Sequence, residues 1–476
     1  MNKDLIIIIT GRVFQILITL ISVRILTALL SPEEVGNYYI AMTIIAFINL
    51  VFLNPPSTYL SRNLLELQRD KNLLNSFLIF ISWTLIVAFF SVFISIILFN
   101  TTNYGDKFDY RLFILFIFLA TTVSTIHRNL IYGSNTMGFR KEFVLFLIVT
   151  LIFGLIFSCY LVYFVEPSSL YWLFGIIVSE FIILLFAFRF YIQGNTLDFN
   201  KIKESINHEK FNKLLKFSIP IGVTTFLMWG LTMSYRFVVD FKYSAETLGY
   251  IVVGLGVSSA VFSSLESIAM QYFSPIFLKD IFESTKTQRS EAWIKMASSV
   301  IPLYILALFF TICMSEILVS ILVDSKFHDS YRYTIVGASI EFFRVVSNLL
   351  TNVSQSEYKT NSTIKPHLIG FLIAILCLLT FNFNKNLVMI PIVLSLSNLL
   401  VCYLMYLQMK KLLDIKFKID FFKILVLSTP FGLIYLFPSS KSFTYSIIYL
   451  IIFSTYLLFS FWIILKNKSI GNFKYN

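Results

Sequence analysis

The chain has 476 residues, of which 57% are hydrophobic and 13% charged, with a formal net charge of +12 and a mean hydropathy of +0.80. A soluble globular chain carries about 45–50% apolar and about 25% charged residues. The composition therefore excludes a soluble enzyme, a disordered chain and a disulfide-stapled secreted domain, and it predicts an all-α polytopic membrane protein. An excess of Lys and Arg over Asp and Glu, 38 to 26, would suggest nucleic acid in a soluble protein. In a membrane protein it reads first as the basic bias of cytoplasmic loops, and no nucleic-acid partner is expected.

Apolar runs of about 20 residues predict about 14 transmembrane helices in chain order. The first six are Leu5–Leu30, Gly36–Leu53, Leu74–Phe99, Leu112–Tyr132, Val144–Phe164 and Leu170–Ile192. The next six are Phe217–Phe241, Leu248–Tyr272, Met296–Val323, Tyr331–Val353, Leu368–Phe383 and Leu387–Leu407, and Phe421–Phe437 and Tyr445–Leu465 complete the set. Asn54-Pro55-Pro56 is expected to end the second span, because proline has no N–H to continue a helix. The N-terminus reads as a retained first span, since Gly11 and Arg12 interrupt the opening apolar run and no small-residue cleavage site follows.

An even span count puts both termini on one side. The loops after the even-numbered spans carry most of the Lys and Arg, including Arg62, Arg69, Lys71, Arg140, Lys141, Lys279, Lys286, Arg289, Lys410 and Lys411. Both termini are therefore expected in the cytoplasm. The longest loop interleaves Lys201, Lys203, Lys210, Lys213 and Lys216 with Ile202, Ile206, Phe211, Leu214 and Leu215, the pattern of a basic amphipathic helix on the inner membrane face. No loop is large enough for a separate soluble domain.

Enzymatic and metal signatures are absent from the sequence. Cys159, Cys313, Cys377 and Cys402 sit singly in apolar runs, and His127, His208, His328 and His367 are scattered, which gives neither a zinc spacing nor a disulfide framework. No cofactor is called for. Coupling to H+, to Na+ or to the membrane potential stays open.

Two segments repeat. Arg24 precedes Ser31-Pro-Glu33-Glu-Val-Gly36 after the first span, and Arg236 precedes Ser244-Ala-Glu246-Thr-Leu-Gly249 after the seventh. A Ser-x-Glu-x-aliphatic-Gly turn lets the serine cap the next helix, with the glutamate near its positive end. A repeat displaced by six spans keeps its orientation, so the pattern predicts two six-helix lobes in parallel repeat plus two C-terminal helices. The expected parts are an N-lobe over 1–193, a cytoplasmic basic linker over 194–216, a C-lobe over 217–411, and two further helices with a cytoplasmic tail over 412–476.

Charge inside hydrocarbon costs roughly 2.5–3.5 kcal/mol on insertion scales, so embedded charges are the candidate functional residues. They are Arg12, Arg24, Arg128, Arg236 and Arg344 for an anionic cargo, with Glu180, Glu266 and Glu341 as candidates for ion coupling. Arg12 and Arg24 are about 18 Å apart along one helix and about 120° apart around it, so they suit successive stations and not one shared phosphate. Arginine fits a diphosphate because its planar fork bonds oxyanions bidentately. Glu341 and Arg344 are spaced i,i+3, which suits mutual neutralisation.

Leu30-Ser-Pro-Glu-Glu-Val-Gly36, Leu215-Lys-Phe-Ser-Ile-Pro220, Trp229, Tyr235-Arg236-Phe237 and Ser244-Ala-Glu-Thr-Leu-Gly-Tyr250 resemble the O-antigen and polysaccharide flippases of the multidrug/oligosaccharidyl-lipid/polysaccharide exporter superfamily. The chain departs from that pattern at Tyr235, where the family often has Asp before the arginine; Asp240 lies about one turn further on. The resemblance implies a non-enzymatic, V-shaped pair of lobes. These would move an undecaprenyl-diphosphate-linked oligosaccharide, an O-antigen or related surface polysaccharide unit, from the cytoplasmic to the outer leaflet of a bacterial inner membrane. Alternating access through an arginine-containing central cavity is implied, with membrane lipids, a polysaccharide polymerase and the chain-length machinery as partners. A multidrug extruder of the same superfamily and a membrane polysaccharide polymerase are the alternatives. Extruders usually take cations and would favour acidic cavity residues, and a polymerase would show a sizeable extracytoplasmic loop.

Overall fold

The computed structural model describes residues 3–101, 107–192, 208–282, 284–417, 419–436 and 443–467. Residues 194–207 of the predicted basic linker and 468–476 of the predicted tail lie outside the described residues. Every regular element among the described residues is helical. Among the described residues, thirteen helices are long and apolar enough to cross a membrane. They are α1 (Thr10–Leu29), α2 (Pro32–Arg69), α3 (Leu73–Ile97), α4 (Tyr110–Thr136), α5 (Arg140–Phe164), α6 (Ser169–Ile192), α7 (Asn212–Lys242), α8 (Ala245–Ile281), α9 (Lys286–Cys313), α10 (Ser325–Ser356), α11 (Asn361–Thr380), α12 (Met389–Leu412) and α14 (Phe443–Lys466). Between the last two, α13 (Phe421–Leu436) is a shorter apolar helix. It is α-helical over Phe421–Ser428 and tightens to a 3-10 helix from Thr429, just before Pro430. The chain is thus a multi-pass helical membrane protein of about 14 helices, as expected from the hydropathy.

The exposed faces are those of a bilayer-embedded protein. Phe89, Phe90 and Phe93 of α3 and Phe181, Leu185 and Phe186 of α6 are all at least half exposed, which hydrocarbon tolerates and water does not.

Two compact units divide the chain, Met1–Phe237 and Val238–Asn476. In the first, a core at one end joins Leu60, Leu64, Phe77, Phe80, Leu130, Phe143, Phe146 and Tyr191. Lipid tails are as apolar as these side chains, so packing and small residues at helix crossings supply the cohesion. At the α5–α6 crossing, a side-chain carbon on Gly175 would run into the backbone N and Cα of Ser158. Ser158 Oγ donates there to the Trp172 carbonyl at 2.6 Å. Gly175→Ala is expected to force the pair apart and destabilise the unit by about 1–3 kcal/mol, the usual cost of overpacking, seen as a lowered melting temperature in detergent.

In the second unit Gly337 meets Ser258 and Leu255, so α8 and α10 cross closely. Arg289 Nε and Nη2 donate to the two Glu357 carboxylate oxygens at 2.6 and 3.3 Å, tying the start of α9 to the end of α10. Lys242 Nζ donates to the carbonyls of Leu378 and Leu379 at the end of α11, at 2.8 and 2.5 Å, where a cation satisfies carbonyls left open by the helix terminus.

The repeated turns are matched caps. Ser31 Oγ accepts from the Glu34 N–H at 3.2 Å and Ser244 Oγ from the Thr247 N–H at 3.0 Å, each from extended backbone. Glu34 adds a contact the motif does not announce, since its carboxylate accepts from the Ser169 N–H at the start of α6.

One expectation fails. The Asn54-Pro55-Pro56 segment does not end the second span. A π-helical turn over Asn49–Leu53 leads directly into a further helix, Asn54–Arg69. Pro55 and Pro56 provide no N–H to the preceding turn, yet the carbonyls they would serve find donors elsewhere. Trp83 Nε1 of α3 donates to the Phe52 carbonyl at 3.1 Å and Thr225 Oγ1 of α7 to the Leu50 carbonyl at 2.8 Å. Inter-helix donors of this kind let proline persist in a membrane helix. Trp83→Phe keeps the ring and removes the donor. It is expected to cost about 1–3 kcal/mol for the stranded carbonyl, read as a lower melting temperature than that of wild type.

Candidate translocation residues

Arg236 lies just past a one-residue turn at Ser234 that splits α7. Its Nη1 donates to Thr43 Oγ1 of α2 at 3.0 Å, and its guanidinium lies 5.1 Å from the Tyr39 ring centroid, within cation–π range. Thr43 is fully buried and its hydroxyl donates to the Tyr39 carbonyl at 2.6 Å. The Thr43 carbonyl accepts from Trp229 Nε1 at 3.1 Å. Thr43 and Tyr39 are neutral, and among the described residues the Arg236 Nε is buried without an acceptor. This is an embedded cation held in position with a donor to spare.

Trp229 packs against Phe47 and Phe226, so its ring is part of a wall. Tyr235 is buried, and Tyr250 packs against Phe327.

Elsewhere in the first unit, Arg12 Nη1 donates to Gln15 Oε1 at 2.8 Å, and its Nε too is buried without an acceptor. Arg24 is half-buried on the same helix, its carbonyl accepting from Thr27 Oγ1. Arg128 is exposed on α4, within electrostatic reach of Glu180. Glu180 of α6 accepts from Ser124 Oγ, which closes a π-helical turn over Ala120–Ser124. Nearby, Thr125 Oγ1 donates to Asn49 Oδ1 at 2.8 Å and Ser57 Oγ to Asn129. A polar layer thus joins the two π-turns of α2 and α4.

In the second unit the remaining candidates converge. Arg344 Nε donates to Glu341 at 2.6 Å and its Nη1 to Glu266 of α8 at 2.9 Å. Asn348 Nδ2 donates to the other Glu266 oxygen at 2.8 Å, and Ser263 lies 3.5 Å from Arg344 Nη2. Two carboxylates share one guanidinium, so the cluster carries a formal surplus of one negative charge. Glu266, solitary in the sequence, has its partner on a helix 78 residues away. Sequence reasoning missed Tyr39, Thr43, Ser124 and Asn348. Neutral residues in apolar spans give no signal until another helix brings a charge to them. Among the described residues no group of His, Cys, Asp and Glu could hold a metal ion.

The sequence matches a known protein family. The model described as "Polysaccharide biosynthesis protein" matches residues 25–332. The lipid II flippase MurJ, in an inward closed conformation, aligns over 97% of both chains with a TM-score of 0.67 at 15% identity. An inward-facing multidrug resistance MATE family transporter of the MOP superfamily covers 86% of this chain and 99% of its own, with a TM-score of 0.65 at 11% identity. An outward-facing MATE structure gives 85% and 93%, with a TM-score of 0.58 at 11% identity. No curated protein matches the chain. At these identities the likeness is one of fold, shared with the lipid II flippase and with the MATE transporters. The family match covers well over half of the sequence, and the chain belongs to the polysaccharide biosynthesis protein family.

Proposed function

We propose that the protein is a flippase for a lipid-linked oligosaccharide. Its cargo is an undecaprenyl-diphosphate-linked repeat unit of O-antigen or a related surface polysaccharide. It moves the unit by alternating access from the cytoplasmic to the outer leaflet of a bacterial inner membrane, with both termini in the cytoplasm. The observation that carries the reading is Arg236, an embedded cation with a free donor, in a chain of the polysaccharide biosynthesis family with the flippase fold. Arg12 offers a second unused donor. Arg24 and Arg128 complete a set of stations suited to a diphosphate, whose oxygens arginine bonds bidentately. The N-lobe and C-lobe division, the basic linker on the inner face and delivery to a polysaccharide polymerase belong to the same proposal.

The energetics favour the direction. A diphosphate carries about two negative charges, and moving one charge across 100 mV is worth about 2.3 kcal/mol. With the cytoplasm negative, outward movement of the anionic head runs downhill. The Glu266–Arg344–Glu341 cluster and Glu180 are the candidates for H+ or Na+ coupling. A multidrug extruder is the less favoured reading, because the embedded arginines suit an anion. Deleting the gene tests the function. Lipid-linked repeat units should accumulate on the cytoplasmic side and surface glycan should fall; normal surface glycan in a strain with no second exporter contradicts the reading.

A further inference from the structure

The first unit contains a cavity of about 320 Å³ between α2, α3 and α7, within the range of ligand pockets, about 300–1,000 Å³. Phe47 and Phe52 wall it from α2, Phe90 from α3, and Phe226, Trp229 and Phe237 from α7. Its few polar groups are spent within the protein. Ser91 Oγ donates to the Val87 carbonyl at 2.7 Å, Ser95 Oγ to the Ser91 carbonyl at 2.8 Å, and the Trp229 N–H to the Thr43 carbonyl. The slot therefore presents carbon alone, and water inside it would find no partner.

Arg236 is tied to this slot through Thr43, which accepts from its guanidinium at the hydroxyl and from the wall residue Trp229 at the carbonyl. It follows Tyr235 and precedes Phe237, a wall residue, and its guanidinium is fixed to Thr43, next to the wall residue Ile44. Its Nε remains without an acceptor. A ligand complementary to both parts has an anionic head for the arginine and a single hydrocarbon chain for the slot. Phe90 is half exposed, so the slot opens toward the face of α3 and the rest of a long chain can stay in the bilayer.

We infer that this slot holds the head-proximal isoprene units of a polyprenyl diphosphate while its diphosphate engages Arg236. The inference rests on the flippase reading and adds where the lipid part of the cargo is gripped. Aromatic walls suit a methyl-branched, unsaturated chain, and one narrow slot suits one chain better than the paired chains of a phospholipid.

The test uses the full chain in phosphatidylcholine nanodiscs with a diazirine-bearing geranylgeranyl diphosphate, the adducts being mapped by mass spectrometry. Adducts should fall on residues 90–95 and 226–237. They should be displaced by geranylgeranyl diphosphate and not by phosphatidylglycerol. Ser91→Phe and Ser95→Phe fill the slot and should lose those adducts, and Ser95→Leu, a smaller filler, serves if either fails to fold. Ser82→Phe, on the exposed side of the same helix, should keep them. Arg236→Gln should weaken binding of geranylgeranyl diphosphate about tenfold, as loss of a charged hydrogen bond does. Labelling spread over lipid-facing helices, labelling unchanged by the fillers, or equal displacement by phosphatidylglycerol would show a slot filled by bulk lipid and overturn the inference. Filled variants that flip cargo at the wild-type rate overturn it too and leave the flippase reading standing. A wild-type protein that moves no cargo sinks that reading whatever the labelling pattern.

Discussion

Replacing Arg344 by alanine is expected to destabilise the protein by about 3–5 kcal/mol, the usual cost of stranding a buried charge. Two carboxylates depend on it, Glu341 at 2.6 Å and Glu266 at 2.9 Å, with their side chains only 13% and 19% exposed. Removing the guanidinium leaves like charges facing each other among apolar helices. The three residues join α8 to α10, which already cross closely at Gly337 and Ser258. Repulsion there should loosen the helix pair and lower the melting temperature and the yield of monodisperse protein in detergent. The triple variant Arg344→Ala, Glu266→Gln, Glu341→Gln should recover most of the loss, because neutral amides bear the missing partner better than carboxylates do. A loss below about 1 kcal/mol for Arg344→Ala would match an exposed pair and would mean that water reaches the cluster freely.

Replacing Arg236 by alanine should slow transport of a lipid-linked diphosphate about tenfold or more, since a hydrogen bond to a charged group contributes about 1.5–3 kcal/mol. Membrane insertion should be unaffected, as the Thr43 hydroxyl keeps its bond to the Tyr39 carbonyl without the arginine. Arg24→Ala is expected to impair export in the same direction. Arg236→Lys should recover only part of the rate, because an ammonium has no planar fork to offer a diphosphate. The measurement is surface glycan in a complemented deletion strain, with the variant's membrane level checked in parallel. Wild-type glycan with both Arg24→Ala and Arg236→Ala would reduce these arginines to helix anchors at the interface.

What could be read from the sequence depended on distance along the chain. The caps of Ser31 and Ser244 were legible because a cap is decided within three residues. The Glu341–Arg344 pair was legible for the same reason, being one helical turn apart. Glu266 had no visible partner because its arginine is 78 residues away, and Arg236 meets Thr43 across 193 residues. The proline pair at Pro55 and Pro56 misled for a physical reason. Locally it ends a helix, and only the Trp83 and Thr225 donors from two other helices carry the helix on through a π-turn. Hydropathy located α13 but not the 3-10 tightening that begins at Thr429, because it records how apolar a segment is and not its hydrogen-bond register. The slot beside Arg236 left no trace, since its phenylalanines are chemically the same as those facing lipid. The fold was therefore open to reading from composition and periodicity, whereas the contacts of the embedded charges needed the assembled helices.

The proposed flippase would move a polyprenyl-diphosphate-linked oligosaccharide between leaflets. The most direct measurement is the rate at which purified protein, reconstituted in proteoliposomes, makes a fluorescent lipid-linked oligosaccharide accessible to an impermeant quencher. Transfer is expected well above that of protein-free vesicles, slowed in Arg236→Ala and accelerated when the potential is negative on the side from which the cargo leaves, each 100 mV contributing about 2.3 kcal/mol per charge moved. Transfer no faster than in protein-free vesicles, for protein shown to be folded and inserted, would contradict the flippase reading.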